Sequence, residues 1–480
     1  LPLQAVHVVA NIALFQQKGF NVMSLSPVYR WRWGIAAALL ILVLALSMLP
    51  LALRATHAAG SDAHAKPFSV NVNGHQVILA ATGVKPPTDA QCRQQFGHPC
   101  YSPQEIRRAY GVDGLINKGD IGTGQTIIII DSFGSPTIAS DLHTFDMSYG
   151  LPDPPSLKIY SPLGTKPFNH TNGTMVGWAF ETTLDVEWAH AMAPGANIAL
   201  MTSPVAETQG VQGMPQFLFL EQFALDHNIG KIISQSWATT ENNLFYPGGR
   251  QVFASFNNFY KQAAADHVTV FSSSGDGGVA NPNFKGQIYP FPTVNFPASS
   301  PYVTAVGGTS LMATTSGHYQ SEVAWSGSGG GVSQYWAEPD YQKNNLPSSV
   351  QRLLNGHRGV PDVSYNADPN TSILVYISFL SSSNNGFYFI GGTSEGSPQW
   401  AGIIADGNQF AGHPLGFINP AVYAIGNSSR YSSDFHDVTT GNNSNSGITG
   451  YHAKPGWDPV TGWGSPNAAN LIPDIVNHQR

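Results

Sequence analysis

A chain of 480 residues, 42% of them hydrophobic, can bury a large core, and its net charge of −7 is spread without any basic run. That charge pattern excludes a nucleic-acid binder, and two cysteines alone cannot hold a structural zinc ion. Charged residues make up only 11%, against roughly 25% in an average soluble protein, so protonating its carboxylates in acid adds little self-repulsion.

Residues 1–22 differ in character from the rest of the chain and read as a segment foreign to the protein, with Met23 as the better start. Arg30 and Arg32 then precede an apolar run from Gly34 to Leu53, and ATHAAG (55–60) offers small residues to a signal peptidase. Residues 23–59 are therefore read as a signal peptide. The run is also long enough to span a bilayer, so an uncleaved anchor is the alternative. In an exported chain, Cys92 and Cys100 predict one small disulfide loop, with two free thiols as the other reading.

Residues 67–83 alternate apolar and polar around Asn73-Gly74, a hairpin pattern. From Tyr101 onward the pattern changes. TIIIID (126–131), ANIALM (196–201), KIISQSW (231–237) and HVTVFSSS (267–274) read as buried strands. Helical segments at 136–148, 181–193, 215–227 and 249–265 lie among them. Strands alternating with helices predict an α/β fold, a parallel sheet with helices on both faces.

Ser394 sits in GGTSEGSPQWAG (391–402), with Ser397-Pro398 reading as a helix start. A serine near a helix N-terminus stands where developing negative charge is favoured. A capping serine in a Gly-rich turn is the plain alternative. Gly392 to Gly396 also satisfy G-x-S-x-G, the nucleophile elbow of α/β-hydrolases. An esterase of that kind would draw on Asp437 and on His436 or His452 downstream. Glu181 and Asp185, in FETTLDVEWAHAMAPGA (180–196), are spaced to put two carboxyls on one helix face. Such a pair resists double ionisation and shares a proton. Asp276, in VTVFSSSGDGG (268–278), follows an apolar strand, where ligands bind in open α/β sheets. An Asp between glycines is also an ordinary turn former.

Taken in order, ETTLD with AMAPGA, then SSSGDGG, then GGTSEGSP resemble the sedolisin (serine-carboxyl peptidase) family, relatives of the subtilisins. The resemblance extends over nearly all of 101–475 and includes FPASSPYVTAVGGTS (296–310), GGGVSQYW (329–336) and RGVPDVSYNADP (358–369). It implies a subtilisin-like single catalytic domain over 101–480, acting on polypeptides as an endopeptidase. Ser394 would be the nucleophile, Glu181 the general base and Asp185 its proton-sharing partner. Asp276, kept protonated, would donate to the oxyanion. His190 lies outside the matching positions and is read as structural. The chemistry agrees, because a histidine base is protonated below about pH 6 whereas a carboxylate still accepts a proton.

In the tail, FHDVTTGNN (435–443) and HAKPGWDPVTGWGSP (452–466) match the family's calcium region. The resemblance implies one structural Ca²⁺ held by the carboxylates of Asp437 and Asp458 and the carbonyls of Val438, Lys454 and Gly456. Lys454 stands where a glycine is expected. Family members carry a long N-terminal prodomain, so residues 60–100, with the Cys92–Cys100 loop, read as a short pro segment or the remnant of a longer one. The expectation is a monomeric, secreted peptidase of acidic surroundings, in contact with membrane only if the apolar segment is uncleaved. A non-catalytic secreted protein on a decayed peptidase fold is the rival from outside the enzymes.

Overall fold

The computed structural model describes residues 69–72 and 75–478. The readings placed on 1–22, on 23–59 and on 60–68 lie outside these residues.

The central strand, Thr126–Ser132, is a run of β-branched residues followed by Asp131 and Ser132. Its side chains alternate between two cores, as a strand requires. Ile127 and Ile129 join a cluster with Trp188 and Ile403, while Ile128 and Ile130 join one with Phe217 and Phe256. Both faces are buried, which is why the sequence shows an unbroken apolar run rather than alternation.

Around this strand the main sheet runs Tyr319–Ala324, Thr304–Ala313, Thr269–Ser273, Ile232–Gln235, Thr126–Ser132, Asn197–Ser203 and Leu157–Tyr160. Val363–Asn366 pairs with Thr304–Ala313 off this path. All these pairings are parallel except that of Tyr319–Ala324. Helices Gly173–Met192 and Gly396–Ala411 pack on one face, and Met214–Asp226 and Pro247–Ala265 on the other. The predicted α/β architecture is the observed one.

One helix boundary differs from expectation. The helix expected at 181–193 starts at Gly173, where the Asn172 side chain accepts from the backbone N–H of Met175 at 3.1 Å. Nearly every residue from Met175 to Met192 is buried, so no amphipathic stripe marks the start. Glu181 and Asp185 are thereby placed in the middle of a long helix fixed at both ends.

The expected hairpin forms, with Ser69–Val72 antiparallel to His75–Thr82 and Val72 opposite His75. It adds to a second, antiparallel sheet, where Ile78 faces Phe389 of Gly386–Ile390, which in turn pairs with Ile373–Ile377. Cys92 and Cys100 are joined as a disulfide. That loop is fastened to the domain, since Arg93 Nη2 donates to the Ala313 carbonyl and the Tyr101 hydroxyl to that of Leu311. Residues 77–100 are thus packed onto the main α/β domain. Among the described residues, no helix is long and apolar enough to cross a membrane.

Candidate active site

The carboxyl ends of three parallel strands line one cleft of about 490 Å³. Glu207 follows Asn197–Ser203, Ser236-Trp237 follow Ile232–Gln235, and Gly275-Asp276 follow Thr269–Ser273. This is the edge at which open α/β sheets bind ligands.

Ser394 reaches the cleft from the second sheet. Strand Gly386–Ile390 runs into Gly391 and Gly392, then a single 3₁₀ turn (Thr393–Glu395), then helix Gly396–Ala411. Gly392 has φ +115°, and a Cβ there would stand 2.6 Å from Asp276 Oδ2. Only glycine meets both conditions. The helix is held down by Ser397, whose Oγ lies 2.9 Å from that of Ser234. Because the strand before Ser394 belongs to the small antiparallel sheet, the G-x-S-x-G match is not an α/β-hydrolase elbow.

Glu181, Asp276 and Ser394 all line the cleft. Burial raises the Glu181 carboxyl above the usual range, the nearby Ser394 hydroxyl works against this, and the charges of Asp131 and Asp276 reinforce it. Asp185 is fully buried behind it and raised well above the usual range by burial, then by Asp131 and Glu181. Ser236 Oγ donates to Asp185 Oδ1 at 2.9 Å. Asp276 Oδ1 accepts from the backbone N–H of Thr393 at 2.7 Å and from its hydroxyl at 2.9 Å.

Asp131 is the residue that sequence reasoning missed. It is fully buried and raised chiefly by burial, with the Thr182 hydroxyl opposing. Both its oxygens, Glu181 Oε1 and Asp185 Oδ2 are buried without a well-aligned hydrogen-bond donor among the described residues, the Thr182 hydroxyl standing nearest Asp131. Neighbouring acids satisfy such oxygens by holding protons between them. The pair read from the sequence is therefore a trio. The available signal was an aspartate closing a wholly apolar strand.

No histidine lines this cleft among the described residues. His190 is buried elsewhere on its helix, with Nε2 2.7 Å from the Pro152 carbonyl and 3.3 Å from Asp146. His436 stacks on Tyr319, and His452 is exposed. Neither can serve Ser394 as the esterase reading requires.

In the tail, both expected carboxylates are held by backbone N–H groups of the loop that carries Lys454 and Gly456. The Gly456 N–H donates to both oxygens of Asp437 at 3.2 Å, and the Lys454 N–H to Asp458 Oδ2 at 3.0 Å. Asp458 is buried and also accepts from Val460 and Thr461, whereas Asp437 and Lys454 are exposed. Among the described residues no three His, Cys, Asp or Glu side chains gather as a metal site. An ion here depends on two carboxylates plus backbone carbonyls, an all-oxygen set that fits Ca²⁺.

Known proteins are similar to this chain in sequence and in fold. The chain is 34% identical over 397 residues to kumamolisin of Bacillus sp. (strain MN-32), covering 80% of this chain and 66% of that protein. It is 32% identical over 315 residues to tripeptidyl-peptidase 1 of Homo sapiens, covering 62% and 52% respectively. Among solved structures, Pseudomonas sedolisin, a serine-carboxyl proteinase complexed with pseudo-iodotyrostatin, superposes with a TM-score of 0.64 at 28% identity, over 80% of this chain and 100% of that one. The chain spans between 52% and 66% of the length of these two curated relatives. No family model matches it.

Proposed function

The chain belongs to the sedolisin family, and from that premise we propose that it is an exported, acid-active serine endopeptidase. The observation that carries this reading is the meeting of the Ser394 hydroxyl with the Glu181 carboxyl in a cleft lined by no histidine among the described residues.

In this reading Ser394 Oγ attacks the scissile carbonyl carbon while Glu181 takes its proton. Asp185 and Asp131 hold the remaining shared protons, so that one negative charge is available to Glu181 without a second being forced into the same buried space. Asp276, neutral in acid, donates to the oxyanion of the tetrahedral intermediate, which is how a protonated carboxyl serves such a site. Collapse expels the amine, which leaves with the proton from Glu181. Water then attacks the acyl carbon as Glu181 takes its proton, and the second tetrahedral intermediate collapses to release the acid as Glu181 returns that proton to Ser394 Oγ.

Export is supported by the disulfide between Cys92 and Cys100, a bond that persists in oxidising compartments. A single Ca²⁺ held by Asp437 and Asp458 with the carbonyls of Val438, Lys454 and Gly456 would tie the tail loops together. Hard oxygen ligands supply that role without entering the chemistry. The name of one relative, tripeptidyl-peptidase 1, raises release of tripeptides from a free N-terminus as the second reading of the same chemistry.

Digestion of unfolded casein at pH 4 tests the reading. Internal fragments of varied length are expected, and a ladder of tripeptides alone would replace the endopeptidase assignment. Ser394→Ala and Glu181→Gln should each lose activity by about 10⁴-fold or more, the scale seen for members of such triads. Retention of activity by Ser394→Ala would remove the serine mechanism.

A further inference from the structure

The cleft contains a third carboxyl that the mechanism does not use. Its lining includes Glu181, Asp276 and Glu207 and, among the described residues, no Lys, Arg or His. Glu207 lies on the segment that follows strand Asn197–Ser203, together with Thr208 and Gln209, and shares the cleft with Trp178 and Trp237.

This segment is firmly held. The Glu207 backbone N–H donates to Ser132 Oγ at 3.3 Å, and the Ser132 hydroxyl donates to the Val205 carbonyl at 2.9 Å. Gly213, at φ +84°, lies so close beneath it that a Cβ there would stand 2.6 Å from Glu207 Cα. Gln209, two residues on, has its side-chain oxygen engaged by the backbone N–H of Thr240 at 3.0 Å and by Asn243 Nδ2 at 2.9 Å. Glu207 contrasts with it. Its Oε1 is buried with no hydrogen-bond partner, and none of the ion pairs among the described residues includes it. A buried carboxyl oxygen left without a donor is costly and calls for one.

We propose that Glu207 is a specificity-determining residue that pairs with a cationic group of the bound peptide, either a lysine or arginine side chain or a free α-ammonium. The inference rests on the peptidase reading and names what that cleft prefers. Burial alone pushes the Glu207 carboxyl well above the usual range, with no neighbouring charge contributing. An arriving cation would supply the missing donor and, by favouring the charged form, release the Glu207 proton to solvent to leave an ion pair. Trp178 and Trp237 give that cation aromatic surface rather than a competing ammonium.

The test is a set of synthetic peptides that place lysine or the uncharged isostere norleucine at each of the four positions before the scissile bond, each with a free or an acetylated N-terminus. Wild-type enzyme is expected to prefer lysine at one position, or the free N-terminus, by roughly tenfold to a hundredfold in kcat/KM, the worth of a hydrogen bond to a charged group. The position of the preference distinguishes side chain from α-ammonium. In Glu207→Gln the ratio should fall to near one. A wild type indifferent to charge at every position overturns the proposal without needing a variant, as does a preference that survives in Glu207→Gln. Wild type that cleaves neither these peptides nor casein overturns the peptidase reading beneath it.

Discussion

Thr393, the residue before the candidate nucleophile, donates its backbone N–H to Asp276 Oδ1 at 2.7 Å, and its hydroxyl reaches the same oxygen at 2.9 Å. The hydroxyl also accepts from the Gly275 N–H at 2.9 Å. The strand-end loop carrying Asp276 and the turn carrying Ser394 are therefore set by one side chain. Thr393→Val keeps the shape and the backbone donor but removes both hydroxyl contacts. It should lower kcat about tenfold with KM nearly unchanged, the effect of slightly misplacing a transition-state donor. Asp276→Ala should cost about 10²–10³ in kcat. Steady-state kinetics on one peptide checks both, and near-normal kcat in Asp276→Ala would remove its oxyanion role.

Asp131 adds to the pH at which the base ionises. Burial raises the Glu181 carboxyl most, and the Asp131 charge adds to it, so Asp131→Asn should let Glu181 ionise at somewhat lower pH. The acid limb of the pH–rate profile should then move toward lower pH, with a smaller maximum because one shared proton has lost its acceptor. A shift toward higher pH would contradict the coupling.

Acid should also stabilise the fold. Burial raises Glu187, Glu221, Glu395 and Asp406 well above the usual carboxylate range, and Asp146 to about 8. A carboxyl raised in the folded state holds its proton there while the unfolded chain has released it. Its contribution is full below the unfolded value and is lost as pH rises through the folded one. His190, lowered by burial to about 4, has the opposite sign, because the unfolded chain gains its proton between about 6.5 and 4. His436, also lowered by burial, acts with the same sign as His190, but two histidines oppose five carboxyls, so the melting temperature should be higher at pH 4 than at pH 8. Calorimetry checks this, and a higher value at pH 8 would contradict it.

Chelation tests the tail site. A bound ion present at 100 times its dissociation constant is worth about 2.7 kcal/mol, which for a domain of this size lowers the melting temperature by roughly 3 °C on removal. Asp458→Asn should abolish the response to chelator. An unchanged melt of the wild type in chelator would argue against an ion held there.

The parallel sheet was legible because both faces are buried, so four strands appear as unbroken apolar runs such as IIII at 127–130. Glu181 and Asp185 were legible from their spacing, since i, i+4 on a helix fixes a shared face. The start of their helix at Gly173 was not, because a helix buried nearly all round carries no stripe. Asp131 joins the pair through sheet pairing and helix packing, and no local spacing encodes that. Glu207 was silent for the same reason. Its position on the cleft comes from where Asn197–Ser203 ends in the sheet, and its want of a partner is visible only once Gln209 is seen to have several.

The proposed chemistry turns on a carboxylate, not a histidine, taking the proton from Ser394. That is tested most directly by kcat/KM for one uncharged peptide measured from pH 2 to pH 9. The carboxylate mechanism predicts a bell with its maximum on the acid side of pH 7, its acid limb set by the first ionisation of the coupled Glu181, Asp185 and Asp131 carboxyls and its other limb by loss of the neutral oxyanion donor. A profile that rises through about pH 7 to an alkaline plateau, the signature of a histidine base, would contradict it.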